Sequence, residues 1–128
     1  MADYTLSGRQ VEEMIEAYIE SALWCGVSTG EDGEVEYDFT ADDLAPDSLA
    51  SMRADVLSFL SLLEEEEVPV DAETPAQMGH DLWLTQQGHG AGFWDRGLGE
   101  VGEQLTKWAH SLGHVDLIAG DDGLVYWM

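Results

Sequence analysis

The sequence is poor in cysteine, in basic residues and in long apolar runs. Its single cysteine, Cys25, has no second thiol in the chain with which to form a disulfide, which is typical of a reducing compartment. No run of about 18 apolar residues occurs, so we expect no membrane-spanning helix. The N-terminus also lacks the basic and apolar regions of a secretory signal. Together these absences predict a cytoplasmic protein.

Basic residues are the scarcest charged type. The chain has four lysines and arginines against 27 acidic residues, a formal net charge of −23 at pH 7, and most of the acids precede Thr74. Such a charge repels nucleic acids and anionic membranes, and it attracts basic proteins and cations. It therefore argues against direct nucleic-acid or membrane binding. A second interpretation is a surface adapted to solubility or to high intracellular salt.

Length and apolar content indicate a single domain. The 128 residues, 45% of them hydrophobic, are enough for one core. We expect residues 1–73 to form an acidic, mainly helical half. Residues 74–128 are expected to form a glycine- and aromatic-rich half built on hairpins.

Three segments have the periodicity of amphipathic helices. In Ser7–Cys25 apolar residues recur at i, i+3 and i+4, a capping box joins Ser7 and Gln10, and Gly26 follows the end. Residues 48–66 and 98–112 give the second and third helices. Residues 74–78 start with Thr-Pro, which favours a short helix.

Strand signals predict two hairpins. Residues 82–85, LWLT, are rich in strand-forming side chains, and the glycine-rich segment 88–92 would turn the chain back into Phe93 and Trp94. Residues 115–119 and 124–126 flank a Gly-Asp-Asp-Gly turn. The alternating segment 35–39 suggests a further short extended piece. The predicted fold class is α+β, with two hairpins forming an antiparallel sheet of about four strands and three main helices.

The most unusual stretch of the chain is residues 79–96, which include the first predicted hairpin and which we call the motif loop. We expect Gly90 and Gly92 to have backbone angles that other residues rarely adopt, because the chain reverses there. The residues singled out in this stretch are His80, Asp81, Trp83, His89, Gly90, Gly92, Trp94, Asp95 and Arg96.

The motif loop also carries a resemblance. HDxWLT over 80–85 followed by HGAGFWDR over 89–96 resembles a family of small acidic proteins encoded by tailed phages and related mobile elements. The likeness is looser over 98–128. It implies a phage origin and a compact domain, so the cytoplasm predicted above would be that of a host cell. The family has no established activity, so the resemblance implies no chemistry.

A metal site is an alternative use of the motif loop. His80, Asp81, His89 and Asp95 are residue types that bind zinc or a non-haem metal, although their spacing matches no known ligand pattern. The other interpretation is that they form local hydrogen bonds at strand ends. We assign no catalytic residue, no metal and no cofactor, and keep a small metal-dependent enzyme as an alternative.

The acidic residues give the main functional prediction. An acidic phage-type protein suits the basic DNA-binding surface of a host protein, as an anti-restriction or anti-CRISPR-like DNA mimic. The alternative is a structural or assembly protein with a salt-adapted surface. Trp127 is the aromatic expected to be exposed or to bridge a homodimer. The predicted partner-binding acids are Glu12, Glu13, Glu16, Glu20, Glu31, Asp32, Glu34, Glu36, Asp38, Asp42, Asp43 and Asp47.

Overall fold

The computed structural model describes residues 5–28, 35–36, 39–71, 73–87, 92–93, 97–113, 116–120 and 122–127. Within these ranges the α-helices are α1 (Gly8–Trp24), α2 (Pro46–Glu65), α3 (Pro75–Gln86) and α4 (Glu100–His110), and a 3-10 turn covers Ala41–Asp43. The strands are β1 (Val27–Ser28), β2 (Val35–Glu36), β3 (Leu117–Ala119) and β4 (Val125–Trp127). The described chain is a mostly helical α+β fold, and none of its helices is long and apolar enough to span a membrane.

The predicted first helix is confirmed as α1. Ser7 Oγ accepts a hydrogen bond from the Gln10 backbone N–H at 3.2 Å, and the Gln10 side chain accepts from the Ser7 N–H at 2.9 Å. This capping box satisfies two N–H groups that have no partner within the helix. Gly26 follows with φ 104°, a conformation that favours glycine. The apolar face of α1 is buried in the core.

The predicted sheet is wrong. The strands are two or three residues long and pair in the order β2-β1-β3-β4, and β1 runs parallel to β3. The sheet is therefore mixed, and it is not the antiparallel sheet of the two predicted hairpins, because β1 pairs antiparallel with β2, a pair that was not predicted. The first hairpin is absent because residues 82–85 belong to α3. Of the two predicted strand pairs, the second is present, as β3 pairs antiparallel with β4.

Helix α3 begins where the sequence predicts a short helix but continues far beyond it. Thr74 Oγ1 accepts from the Gln77 N–H at 3.2 Å, and Pro75 occupies the first turn, where it needs no hydrogen bond. The helix then runs through the predicted strand. Most of its sides are buried, so packing outweighs the local preference for an extended chain.

Helices α1 and α3 contact each other through their backbones at Gly79. A Cβ added to Gly79 would lie 2.1 Å from Met14 O and 2.9 Å from Tyr18 N. Beside this contact the rings of Tyr18 and Trp83 meet edge to face, with centroids 5.4 Å apart. Gly79 therefore sets the spacing of the two helices and is not part of a turn.

Helix α2 ends in a Schellman motif closed by a glutamate. The Val68 N–H donates to Leu63 O at 2.8 Å, and the Glu67 N–H donates to Glu64 O at 3.2 Å. Glu67 has φ 56°, in the left-handed region where glycine is favoured. An acidic residue therefore occupies a strained position at the negative end of a helix.

The end of the motif loop is fixed against α3 and α2. Gly92 has φ 144°, and a Cβ there would lie 2.2 Å from Thr85 Oγ1, so the prediction for this glycine is confirmed. The Phe93 N–H donates to the same oxygen at 3.1 Å, and the Phe93 ring stacks on Phe59 at 5.7 Å. Gly90 lies outside the described residues.

The predicted third helix is confirmed as α4. It starts after Gly99, whose φ of 64° provides the N-cap, and Gly113 with φ 84° follows its end. Its acids lie in the first turn and its basic residues in the last, which favours the helix dipole. One cluster of buried apolar side chains draws on all of the described helices and on β1, β3 and β4.

Candidate binding groove

The described acids of the predicted partner surface lie at the surface of the N-terminal part of the chain. Side chains of Glu12, Glu13, Glu16 and Glu20 are exposed on α1. In the 3-10 turn Asp42 is exposed and Asp43 is half-buried, and Asp47 is exposed at the start of α2. Glu36 is described only as part of strand β2, and the remaining predicted acids lie outside the described residues, namely Glu31, Asp32, Glu34 and Asp38.

Exposed acids also occur elsewhere. They lie at the end of α2, in the segment after it, on α4 and in the turns around β3 and β4. Helix α3 differs, because its one acidic residue, Asp81, is fully buried. The acidic surface therefore extends over several elements and leaves α3 as an inner helix. The exposed acids outside the predicted set are Glu64, Glu65, Glu66, Glu67, Asp71, Glu100, Glu103, Asp116 and Asp122.

Two arginines lie close to acidic side chains of helix α1. Arg53 on α2 makes two hydrogen bonds to Glu12, at 2.7 and 3.0 Å, and these bonds lower the pKa of the Glu12 carboxyl. Arg9 lies 3.9 Å from Glu13. The Arg53–Glu12 pair crosses from α2 to α1, so helical periodicity alone gave no indication of it. It partly neutralises one end of the acidic face of α1.

The other end of that face carries Glu16 and Glu20. Among the described residues no basic side chain forms an ion pair with Glu16 or Glu20. Both line a groove between α1, residues 39–41 and the start of α3, with a cavity volume of about 1160 Å³. We call this the α1–α3 groove. Its lining residues include Glu16, Glu20, Ser21, Trp24, Gln77 and His80.

Trp24 is the most exposed large apolar side chain of the described chain. It is 76% exposed and lies on the edge of the α1–α3 groove. The sequence singled out Trp127, and not Trp24, as the aromatic expected to be exposed. The signal was present, because Trp24 follows Glu16 and Glu20 at i+8 and i+4, on the acidic stripe of the helix.

Two buried polar atoms beside the groove lack an oxygen or nitrogen hydrogen-bond partner within the described chain. Ser21 is 1% exposed, and its Oγ has no oxygen or nitrogen partner. It does contact the Cys25 thiol, whose pKa is raised by burial and lowered to a smaller degree by Trp83 and Ser21. A thiol is a weak hydrogen-bonding group, so Ser21 remains short of a strong partner. His80 Nδ1 is also buried and unpartnered, 3.9 Å from Asp81 Oδ1.

The described motif-loop side chains lie in different parts of the structure. His80 lines the groove, Asp81 is buried and accepts from Gln77 Nε2 at 2.9 Å, and Trp83 packs against Tyr18. Within the described ranges no group of three or more His, Cys, Asp or Glu side chains could hold a metal. The proposed metal site also needs two residues outside those ranges. The motif-loop positions that are not described are His89, Gly90, Trp94, Asp95 and Arg96.

A buried polar chain joins three helices beneath the acidic surface. Tyr18 Oη on α1 donates to Gln86 Oε1 on α3, and Gln86 Nε2 donates to Asp55 Oδ2 on α2 at 2.8 Å. Burial raises the pKa of the Asp55 carboxyl and also that of the Tyr18 hydroxyl. No sequence pattern predicted this chain, because its members are far apart in the sequence.

Trp127 is partly buried. Its backbone N–H donates to Ser48 Oγ at 2.9 Å, which fixes the end of β4 to the start of α2. The homodimer that was predicted from Trp127 stays a prediction.

Comparison of the chain with protein-family models, curated proteins and solved structures finds no match. The resemblance of the motif loop to small phage proteins therefore stays a prediction.

Proposed function

We propose that this protein binds a basic protein through the acidic edge of the α1–α3 groove. The observation that carries the proposal is the pair of exposed carboxylates, Glu16 and Glu20, without a described basic partner and beside the exposed Trp24. Exposed tryptophan is enriched at the centres of protein interfaces, and fields of opposite sign speed the encounter of two proteins.

The partner class we propose is a DNA-binding protein whose DNA site is blocked. From Glu13 to Glu20 the helix rises by about 10 Å, and duplex DNA carries about six charges over such a length. Helix α1 presents three carboxylates there, and the exposed Asp42 in the adjacent 3-10 turn adds a fourth. This charge density is a partial imitation of DNA. The motif-loop resemblance favours a host restriction or CRISPR-type nuclease as the target.

A competition titration tests this proposal. The protein would be titrated against a candidate host nuclease bound to labelled duplex DNA, at about 50 and about 300 mM salt, a range over which screening shortens the reach of exposed charges. We expect displacement of the DNA that weakens as salt rises. The double variant Glu16→Gln/Glu20→Gln should displace DNA at least about tenfold less well, equivalent to about 1.4 kcal/mol.

The matched control is Glu100→Gln/Glu103→Gln, which removes the same charge from α4. We expect it to compete nearly as well as the parent protein. Simultaneous binding of DNA and this protein to the nuclease would contradict the proposal. Equal loss in the two double variants would assign the effect to net charge and not to the groove.

A second function is favoured by the acids that lie away from the groove. Exposed carboxylates at the end of α2 and on α4 are what a salt-adapted structural or assembly protein would carry. The dependence of stability on salt separates this candidate from the first.

A further inference from the structure

We propose that the α1–α3 groove holds an arginine side chain of the partner, with its guanidinium between the Trp24 ring and the carboxylates of Glu20 and Glu16. This inference rests on the proposed function, because it names the group that the acidic edge recognises. The three residues follow one another at i, i+4 and i+8 on α1 and all line the groove. On a helix such neighbours have Cβ atoms about 5–6 Å apart.

The chemistry of this stripe matches a guanidinium. Arginine binds carboxylates through paired N–H donors and also stacks on aromatic faces, and indole is the best of these faces. Trp24 offers an open ring, and Glu20 one turn earlier offers an exposed carboxylate. A planar cation is the group that can contact both at once.

The end of α1 strengthens the attraction. The last turn of α1 contains no basic residue, so the partial negative charge of the helix C-terminus is not balanced by a side chain of that turn. A cation bound beside Trp24 would lie next to this terminus. The helix end and the two carboxylates are all negative, so all of them attract the bound cation.

The groove is also lined by a buried hydroxyl, Ser21, whose described hydrogen-bond partner is the weakly bonding Cys25 thiol. Ser21 is 1% exposed, lines the groove and has no oxygen or nitrogen partner within the described chain. A buried hydroxyl without a strong partner costs free energy, and a guanidinium has five N–H donors and no acceptor. Interface side chains commonly change rotamer on binding, which would bring Ser21 Oγ within reach. This observation is independent of the acids and favours a donor-rich ligand over an apolar one.

The experiment uses three acetylated and amidated tripeptides, Ala-Arg-Ala, Ala-Lys-Ala and Ala-citrulline-Ala, added to the whole protein. Binding is followed by the NMR shifts of the α1 backbone amides and, in every protein that keeps Trp24, of its indole N–H, assigned with Trp24→Leu. We expect the arginine peptide to shift these signals, the lysine peptide to bind at least about threefold more weakly, and the uncharged citrulline peptide not to bind. Each variant is first checked for an unchanged melting temperature.

Variants then locate the site. Trp24→Leu and Glu20→Gln should each weaken the binding of the arginine peptide by about three- to tenfold. Ser21→Ala should weaken it by about two- to fivefold. The control Glu103→Gln, on α4, should leave the affinity unchanged. Equal binding of arginine and citrulline peptides, or equal loss in Glu20→Gln and Glu103→Gln, would overturn the inference. So would a dimer that dissociates in Trp24→Leu while no peptide binds, because the groove would then be an interface between copies.

The outcomes also separate this inference from the proposed function. Arginine-peptide binding in a protein that does not displace DNA from nucleases supports the groove and removes the proposed partner class. Displacement of DNA that is lost in Glu16→Gln/Glu20→Gln but kept in Trp24→Leu supports the partner class and overturns the arginine site.

Discussion

Gly79 is the residue on which the contact between α1 and α3 depends. Any side chain there would collide with backbone atoms of α1, including Met14 O at 2.1 Å, and backbone cannot move aside as a flexible side chain can. A glycine inside a helix normally destabilises it by about 1 kcal/mol relative to alanine. Here the close packing that glycine permits outweighs that local cost.

We therefore expect Gly79→Ala to lower the free energy of unfolding by at least about 1–3 kcal/mol, because the helices must separate. The control is Gly8→Ala, at the start of α1, where an added Cβ meets nothing within 4 Å. Helix propensity predicts that this change is neutral or stabilising by up to about 1 kcal/mol. Urea unfolding measures both, and equal stabilities would show that α1 and α3 can move apart without loss.

The sequence singled out the stretch that contains Gly79 but assigned it the wrong local structure. Glycines at 88, 90 and 92 suggested a turn, and Gly92 does have the expected conformation. Gly79 has a different purpose that appears only when α1 packs against it. A single residue type serves both uses, so the sequence alone could not separate them.

Among the secondary-structure elements, α1, α3 and α2 are linked by the side-chain hydrogen bonds from Tyr18 through Gln86 to Asp55. Each link has a donor and an acceptor, so the polar groups are buried without the full cost of lost water. The cost that remains is the charge of Asp55, since burial raises the pKa of this carboxyl.

This raised pKa predicts how stability depends on pH. Between the ordinary aspartate value of about 4 and the raised folded value, the folded protein keeps a proton that the unfolded chain has lost. Asp55 therefore favours folding most at low pH, and this contribution falls as pH rises through that window. Asp55→Asn keeps an acceptor for Gln86 and cannot ionise, so we expect it to be as stable as the parent protein, or more stable, at pH 7.

Urea unfolding between about pH 4 and pH 7 measures this difference, because the window begins near the ordinary carboxyl pKa. The matched control is Asp47→Asn on the same helix, where the side chain is exposed. We expect the fall in stability with pH to be smaller in Asp55→Asn than in the control. An identical pH dependence in the two variants would contradict the role given to Asp55.

Helices α1, α2 and α4 were predictable because each has one apolar face and recognisable ends. Helix α3 was not, because it is buried on most sides and its apolar residues follow no single stripe. Its start was visible in Thr74 and Pro75, whereas its length depends on contacts with α1. The parallel pairing of β1 with β3 joins distant segments of the chain, and two-residue strands leave too little pattern to reveal it.

For the whole molecule the dominant quantity is the net charge of −23. Like charges oppose the compact state, and Glu64 to Glu67 concentrate four of them at the negative end of α2. The screening length falls from about 10 Å at 0.1 M salt to about 3 Å at 1 M. If charge repulsion alone limits stability, most of the stability gained from added salt should appear by about 0.5 M. At that concentration the screening length is already short.

We expect the melting temperature to rise with potassium chloride up to about that concentration and then level off. The variant Glu64→Gln/Glu65→Gln/Glu66→Gln should be more stable than the parent at low salt and should gain less from added salt. A melting temperature that continues to rise steeply into molar salt, in both proteins, would instead favour the salt-adapted structural protein.

The sign and size of the charge were plain in the sequence, and so was the acidic stripe of α1. The pairing of Arg53 with Glu12 required the arrangement of α2 beside α1, and it leaves Glu16 and Glu20 without a basic ion-pair partner among the described residues. The groove likewise needed α3 as a helix, since its far wall carries Gln77 and His80.

Lys107 has a practical consequence for labelling. It is the one lysine of the sequence, and its ammonium lies 4.7 Å from the centre of the Trp108 ring on α4, outside the residues that line the groove. Amine-directed reagents therefore find a single side-chain target. A fluorophore or a surface tether attached there would leave α1 unmodified, and quenching of a dye by the adjacent indole would report on the last turns of α4.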